Sequence, residues 1–297
     1  MAESTLTATE LTAEQVQRVL VQPLEAASVF LAAGPRVFDT NGSQVRIPKM
    51  GGPITDPGWT GENELIPERD VSFDEVVLLP STMKSIKVLT RYSNELARQS
   101  IISLDAALRA RLVSDVAAKL DSQLLSASGD GITTPRGLFA YTGTQTLPVD
   151  SALTLDDLHD AEGLLLAANV DPSRVRWLMT SREFVGLRKV KDTSGKYLIQ
   201  PDPTEGGAYR LLGHGVTVTN RIPDVPATTG TGATPATGRA ALVDFSQLAV
   251  ARDLAPSVKI LDQTFGEWDQ QAIRVVARYD AGPLNAEAVV KLTGITV

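Results

Sequence analysis

From Leu104 onward, apolar side chains recur every four residues: Leu104, Leu108, Leu112, Val116, Leu120 and Leu124. Mostly Ala, Arg, Asp, Ser and Lys lie between them. That spacing predicts a helix, not a strand. Ser103 is placed to act as N-cap, and Asp105 falls in the first turn, where the helix dipole favours an anion. Gly129 and Gly131 supply the stop. A helix from Leu104 to Ala127 spans roughly 36 Å, about the width of a small domain. Each four-residue step advances the stripe by about 40° around the axis, and Val113, Ala117 and Leu125 widen it. A winding stripe gives the two ends of the helix different partners. The element is either one core helix crossing a large domain or a strut tying separate layers together, and periodicity leaves both open. The stretch Asn94 to Gln99 predicts a shorter helical turn just before it.

Elsewhere the pattern changes repeatedly. Thr12 to Gln15 forms a capping box, followed at helical spacing by Val16, Leu20, Leu24, Ala27 and Leu31, with Pro23 predicted to kink that helix. This segment either packs on its own core or reaches a neighbour as an arm. Val45 to Ile47 and Val71 to Leu78 alternate like strands. Between them lie Gly51, Gly52, Pro53, Pro57, Gly58, Gly61 and Pro67, a lone Trp59, and the acids Asp56, Glu62, Glu64, Glu68 and Asp70 against a single Arg69. A connection of that length marks a functional or a disordered loop. The two strands read as legs of a long hairpin leaving the body, and a Trp on such a loop suggests a partner surface.

Ser85 to Leu89 reads as extended, and Thr133 to Leu138 as a turn. Thr154 caps a second helix, Leu155 to Ala168, with Asp156 and Asp157 in its first turn. Val175 to Met179 reads as a buried strand, Ser181 to Val190 as a helix, and Asp192 to Tyr197 as a turn. Gly215 to Thr219, Ala241 to Val250, Val258 to Leu261, Gln271 to Tyr279 and Ala288 to Leu292 read as strands. Residues 226 to 238 are low-complexity and predict an exposed loop. The order is mixed α+β, without a repeat or a βαβ series.

The chain has 297 residues, room for one large domain or two ordinary ones, and 43% of them are hydrophobic, as in a folded protein. A net charge of -7 argues against duplex-DNA recognition, which leaves a basic footprint. The cysteine count is 0, which excludes disulfides, thiolate metal sites and a cysteine nucleophile. No stretch approaches the roughly 20 apolar residues of a membrane span. The acidic N-terminus lacks the basic and apolar regions of a signal peptide. Asn41-Gly42-Ser43 reads as a turn.

Candidate chemistry is sparse. Asp156, His159 and Asp160 share a helix face and could hold a metal, but the acids sit where the dipole favours them in any case. His214 lies between two glycines with no acid partner evident in the sequence. There is no Gly-x-Ser-x-Gly, His-Glu-x-x-His or Walker A motif. No catalytic residue, cofactor site or metal site is assigned.

Taken in order, several segments carry a resemblance. They are Ser93 to Leu96, the long helix, Gly129-Asp130-Gly131 with Pro135 to Leu138, and Trp177 to Met179 with the helix from Ser181. Lys191 to Leu198, Leu212 to Val218, Ala241 to Ser246, Ile273 to Asp280 and Ala288 to Leu292 complete the set. The chain resembles the tailed-bacteriophage major capsid proteins of the Hong Kong 97 type over nearly its whole length. The resemblance implies an α+β capsid fold with four parts. Residues 1–43 would be an N-terminal arm, and 44–80 an extended loop lying over an adjacent subunit. Residues 81–151 and 251–297 would form a peripheral domain with the long helix as its spine, and 152–250 an axial domain.

The implied function is self-assembly, as hexamers and pentamers, into an icosahedral head enclosing double-stranded DNA without sequence-specific binding. The head would be a virion component assembled in the host cytoplasm, away from membranes. Portal, separate scaffolding and decoration proteins are the implied partners. Some family members weld neighbours through a loop lysine, but no lysine lies between Met50 and Met83 here. Others begin with a cleaved scaffolding segment, whereas here the arm helix starts a dozen residues from Met1, which implies scaffolding from another chain. The expected contact surface is the loop with Asp56, Trp59, Glu62, Glu64, Glu68, Arg69 and Asp70. Arg98, Arg109, Arg111 and Arg136 of a neighbour are its candidate basic partners. The alternatives are an encapsulin-type compartment shell and, further off, a small-oligomer enzyme.

Overall fold

The computed structural model describes residues 28–50, 59–65, 73–95, 104–199, 209–227, 235–261 and 264–296. The expected helix from Val16, the Ser103 cap and most of the Asn94–Gln99 turn lie outside them.

Within the described residues the chain builds two sheets, one hairpin and a long helix. The first sheet joins β1 (Arg36–Thr40), β10 (Leu248–Leu261), β11 (Gln270–Pro283) and β4 (Ile86–Ser93) in that order. Its axis is the antiparallel pair β10–β11, each strand 14 residues long. Their register slips between Asp253 and Ser257. Pro256 lies in that interval, where a residue without an N–H cannot complete a ladder. The second sheet runs β5 (Gln145–Pro148), β12 (Val289–Ile295), β9 (Gly238–Asp244), β6 (Val175–Met179), β8 (His214–Val218) and β7 (Arg210–Leu211). The hairpin pairs β2 (Val45–Met50) with β3 (Phe73–Leu78), Val45 opposite Leu78 and Met50 opposite Phe73.

The helices are α1 (Val29–Ala32), α2 (Leu104–Leu124), α3 (Leu155–Ala167) and α4 (Ser181–Arg188). Thr154 caps α3 as expected, and with Asp157 it closes a capping box, each bonding the other's backbone amide. The long helix α2 ends at Leu124, and a tight turn follows it. Gly129 has φ +105, and a Cβ there would meet Pro135 O at 2.1 Å; one on Gly137 would meet Ser126 O at 2.2 Å. Asp130 holds the same turn by accepting from the amides of Ile132, Thr133 and Thr134. Those bonds, the Thr134 amide first, hold its carboxyl far below the usual range.

Burial decides between core helix and strut. Leu112, Val113, Val116, Ala117, Leu120, Leu124 and Leu125 are buried in one cluster with Val275 and Ala277 of the first sheet and Leu178, Ala241 and Val243 of the second. The helix is therefore packed between two layers. The second sheet is covered on both faces: Leu178, Ala241 and Val243 turn toward α2, while Trp177, Met179 and Leu242 turn toward α3 and α4. That is the two-residue alternation of a strand with a core on each side.

Several elements differ from the sequence reading. β1 and β5 were not expected; both are short, and both gain their ladder bonds only by joining distant strands. The run Ala241 to Val250 breaks at Phe245–Gln247, where the Asp244 carboxylate accepts from the Ser246 amide and hydroxyl. Strands β6 and β8 are parallel with α4 between them, so the fold does contain a parallel crossover. Strand β12, in the segment grouped with the long helix, pairs with β9 and β5 in the second sheet.

One polar group sits inside the apolar cluster. Asp121 of α2 is fully buried. Its carboxylate accepts from the Ser28 hydroxyl at 2.5 Å, from the amides of Val29 and Phe30 at 2.8 and 3.2 Å, and from the Arg221 guanidinium. Ser28 in turn accepts from the Leu31 amide and caps α1. Asp121→Ala would remove the shared acceptor of the Ser28 hydroxyl, two amides and the Arg221 guanidinium. The expected loss is about 3–5 kcal/mol in denaturant unfolding of the unassembled subunit, against less than about 0.5 kcal/mol for Asp115→Ala on the exposed face. A loss below about 1 kcal/mol for Asp121→Ala would show that the cluster stands without it.

Candidate functional site

The base of the hairpin β2–β3 packs on β10 and β11, the two central strands of the first sheet. Along its legs Lys49 pairs with Asp74, directly opposite in the register, at 3.2 Å, and Arg46 reaches diagonally to Glu75 at 3.4 Å. Both pairs are exposed, so each adds about 0–1 kcal/mol and mainly fixes register. The Asp74 carboxyl is held below its ordinary value by the Glu75 amide and then by Lys49.

At the base, Leu78, Leu79, Met83, Ala249 and Ala251 form a separate small core under Val45, Ile47 and Val76. Leu79 takes a left-handed φ of 54, unusual for a branched residue. Its amide donates to Asp280 Oδ2 at 2.9 Å, and Asp280 also accepts from the Ala281 amide. Arg278 Nη2 donates to Pro80 O at 2.6 Å and its Nη1 faces Asp253. Burial pushes the Asp280 carboxyl up to about 6; the two amides, Arg136 and Arg278 pull the other way. Nearby Tyr141 is fully buried and is also pushed up, by burial first and by Asp280 second.

The tip of the loop is a turn. Glu64 bonds Gly61 through both its amide and its side chain, and Asn63 is left-handed. Trp59 and Leu65 are 106% and 94% exposed and flank Glu62 and Glu64. Two large apolar side chains in full contact with water on one short segment form a surface that burial against a partner would stabilise.

The remaining expected contact residues divide. Asp56, Glu68, Arg69, Asp70 and Arg98 lie outside the described residues, as does the side chain of Arg109. Arg111 pairs with Asp115 of its own helix at 3.0 Å. Arg136 donates to Asp130 O at 3.0 Å and faces Asp280. These two arginines therefore meet groups of their own chain. Trp268, 72% exposed at the turn between β10 and β11, escaped the sequence reading. Its signal was the one that marked Trp59, an aromatic between acids, here Glu267 and Asp269. His214 also departs from expectation: its Nε2 lies 3.3 Å from Glu162 Oε1 on α3. Among the described residues no three His, Asp or Glu side chains group as metal ligands, and no helix is long and apolar enough to cross a membrane.

The described residues form a body of two packed layers with an exposed apolar turn at Trp59–Leu65. The phage capsid family model matches residues 9–294, and the chain belongs to that family, a family of structural shell proteins. A major capsid protein from Halomonas phage phiHAP-1 is 27% identical over 157 residues, 52% of this chain, and the match spans 25% of that relative's length. The capsid chain of a native GTA particle superposes with a TM-score of 0.71 at 17% identity, covering 91% of this chain and 90% of the other. A chain from Mycobacterium phage Bobi gives 0.67 at 17% identity, with 89% of each covered. At such identities the likeness is one of fold.

Asp280 makes the hairpin base sensitive to acid in a defined direction. Its carboxyl is raised on folding, so its stabilising contribution is complete below the unfolded value of 3.8 and is lost as pH rises through about 6. Asp280→Asn removes that dependence while keeping an acceptor for the Leu79 amide. The stability of the variant relative to the parent should therefore rise by roughly 2 kcal/mol between pH 4 and pH 7. Parallel unfolding curves with a constant gap across that range would contradict the burial of a titrating group there.

Proposed function

We propose that the chain is a major capsid protein of the Hong Kong 97 type, assembling as hexamers and pentamers into an icosahedral virion head around double-stranded DNA. The observation that carries this reading is the hairpin β2–β3, whose tip exposes Trp59 and Leu65 while its base is bonded into the body at Leu79 and Asp280. A rigidly based arm with an uncovered apolar tip suits a clamp on a neighbour. Family membership over residues 9–294 supports the shell role.

In this reading α2 is the spine of a peripheral domain with the first sheet, and the second sheet with α3 and α4 is the axial domain. Strands β5 and β12 then belong with the axial part. Residues preceding β1 act as the N-terminal arm. Self-association is the main interaction, and portal, scaffolding and decoration proteins are the proposed partners. The assembly site is the host cytoplasm. A chain of net charge -7 encloses DNA without reading its sequence. With no cysteine, and no lysine between Met50 and Met83, the loop contributes non-covalent contacts alone.

Deleting residues 56–68 tests the clamp. The legs β2 and β3 remain, so the subunit should keep its unfolding midpoint while closed shells disappear from sedimentation profiles. Shells as stable to heat and salt as the parent's would rule out the loop as a clamp.

A further inference from the structure

The clamp reading requires a receiving surface, and the structure offers one away from the arginines considered above. Between β4 and α2 lies a groove of about 350 Å³. Its floor is apolar: Val116 and Leu120 of the helix and Val88 of the strand. Its rim is basic: Lys84, Lys87 and Lys119 are exposed around it. The one carboxylate on the lining, Asp115, faces Arg111 at 3.0 Å. The groove therefore combines an apolar floor with a positive rim.

The loop tip has the complementary pattern. Trp59 and Leu65 are apolar and exposed, and Glu62 and Glu64 lie between them with no cation from residue 59 to 65. The turn is closed by its own Gly61–Glu64 bonds, so little ordering is left for binding. The tip does not occupy the groove of its own chain, because Trp59 is in full contact with solvent. We propose that Trp59 to Leu65 of one copy docks in the lysine-rimmed groove between β4 and α2 of a second copy, an inference that rests on the clamp reading. Trp59 enters over Val88, Val116 and Leu120, while Glu62 and Glu64 meet the lysines at the rim. Aromatic anchors seated in desolvated pockets dominate such contacts, with rim charges setting register.

The cysteine-free chain allows a direct test by disulfide trapping. Thr60→Cys is combined with Lys119→Cys in one full-length chain, and with Arg111→Cys or Arg136→Cys in two others. Assembled protein is oxidised and run without reductant. The expected result is a ladder of covalently linked chains with Lys119→Cys and none with the other two. An intrachain disulfide with Lys119→Cys, or a ladder with Arg111→Cys or Arg136→Cys alone, would overturn the groove while leaving the clamp intact. A failure of the clamp itself is read separately, from normal shells after deletion of residues 56–68. As a second measurement, Glu62→Lys with Glu64→Lys should abolish shells, and adding Lys87→Glu with Lys119→Glu should restore them. A folded quadruple variant that forms no shells would also overturn the proposal.

Discussion

The buried carboxylate of Asp121 is the interaction on which the arrangement of layers depends. It sits on the long helix α2, where α2 passes between the two sheets, and reaches both chain directions at once. Upstream it receives the hydroxyl of Ser28 and the first amides of α1; downstream it receives Arg221, just after β8 of the second sheet. A buried charge is tolerated only when its lone pairs are filled, so each donor fixes the place of its segment. Apolar packing alone would allow the helix to slide by a turn between its neighbours. Four donors converging on one carboxylate select a single register.

That register has a consequence at the far end of the body. Helix α2 packs against β4 and β11, and β11 carries Asp280 and Arg278, which hold Leu79 and Pro80 at the hairpin base. The hairpin is thereby held by the same sheet that packs on α2. A left-handed Leu79 is strained, and two backbone bonds to charged side chains offset that strain. The result is a bonded base below a loop whose apolar tip, Trp59 and Leu65, is exposed. A shell subunit needs a body that does not deform and an arm that reaches beyond it.

The sequence made much of this legible, for physical reasons that differ by element. Periodicity exposed α2, the Thr154 cap named α3, and alternation named both legs of the hairpin, because those signals are local. The choice between core helix and strut was not local; it depended on Leu178 and Ala241 meeting the helix from a second layer. Strands β1 and β5 were missed because short strands take their stability from distant partners. Asp121 had a signal that went unused: Ala117 and Leu125, four residues to either side, both belong to the apolar stripe. An acid in that row must be buried and partnered. The exposure of Trp59 was legible from the composition of its loop. Arg111 and Arg136 follow from charge and from the geometry the resemblance implies, and neither reveals that the Asp115 carboxylate and the Asp130 carbonyl of the same chain already meet them.

The central claim is that this chain is a shell subunit whose hairpin closes onto a neighbour. The most direct measurement is electron cryomicroscopy of the purified full-length protein after assembly. The account predicts closed icosahedral particles built of hexamers and pentamers, with density for Trp59 against the adjacent subunit. A uniform population of small soluble oligomers, with the hairpin folded back on its own chain, would contradict it.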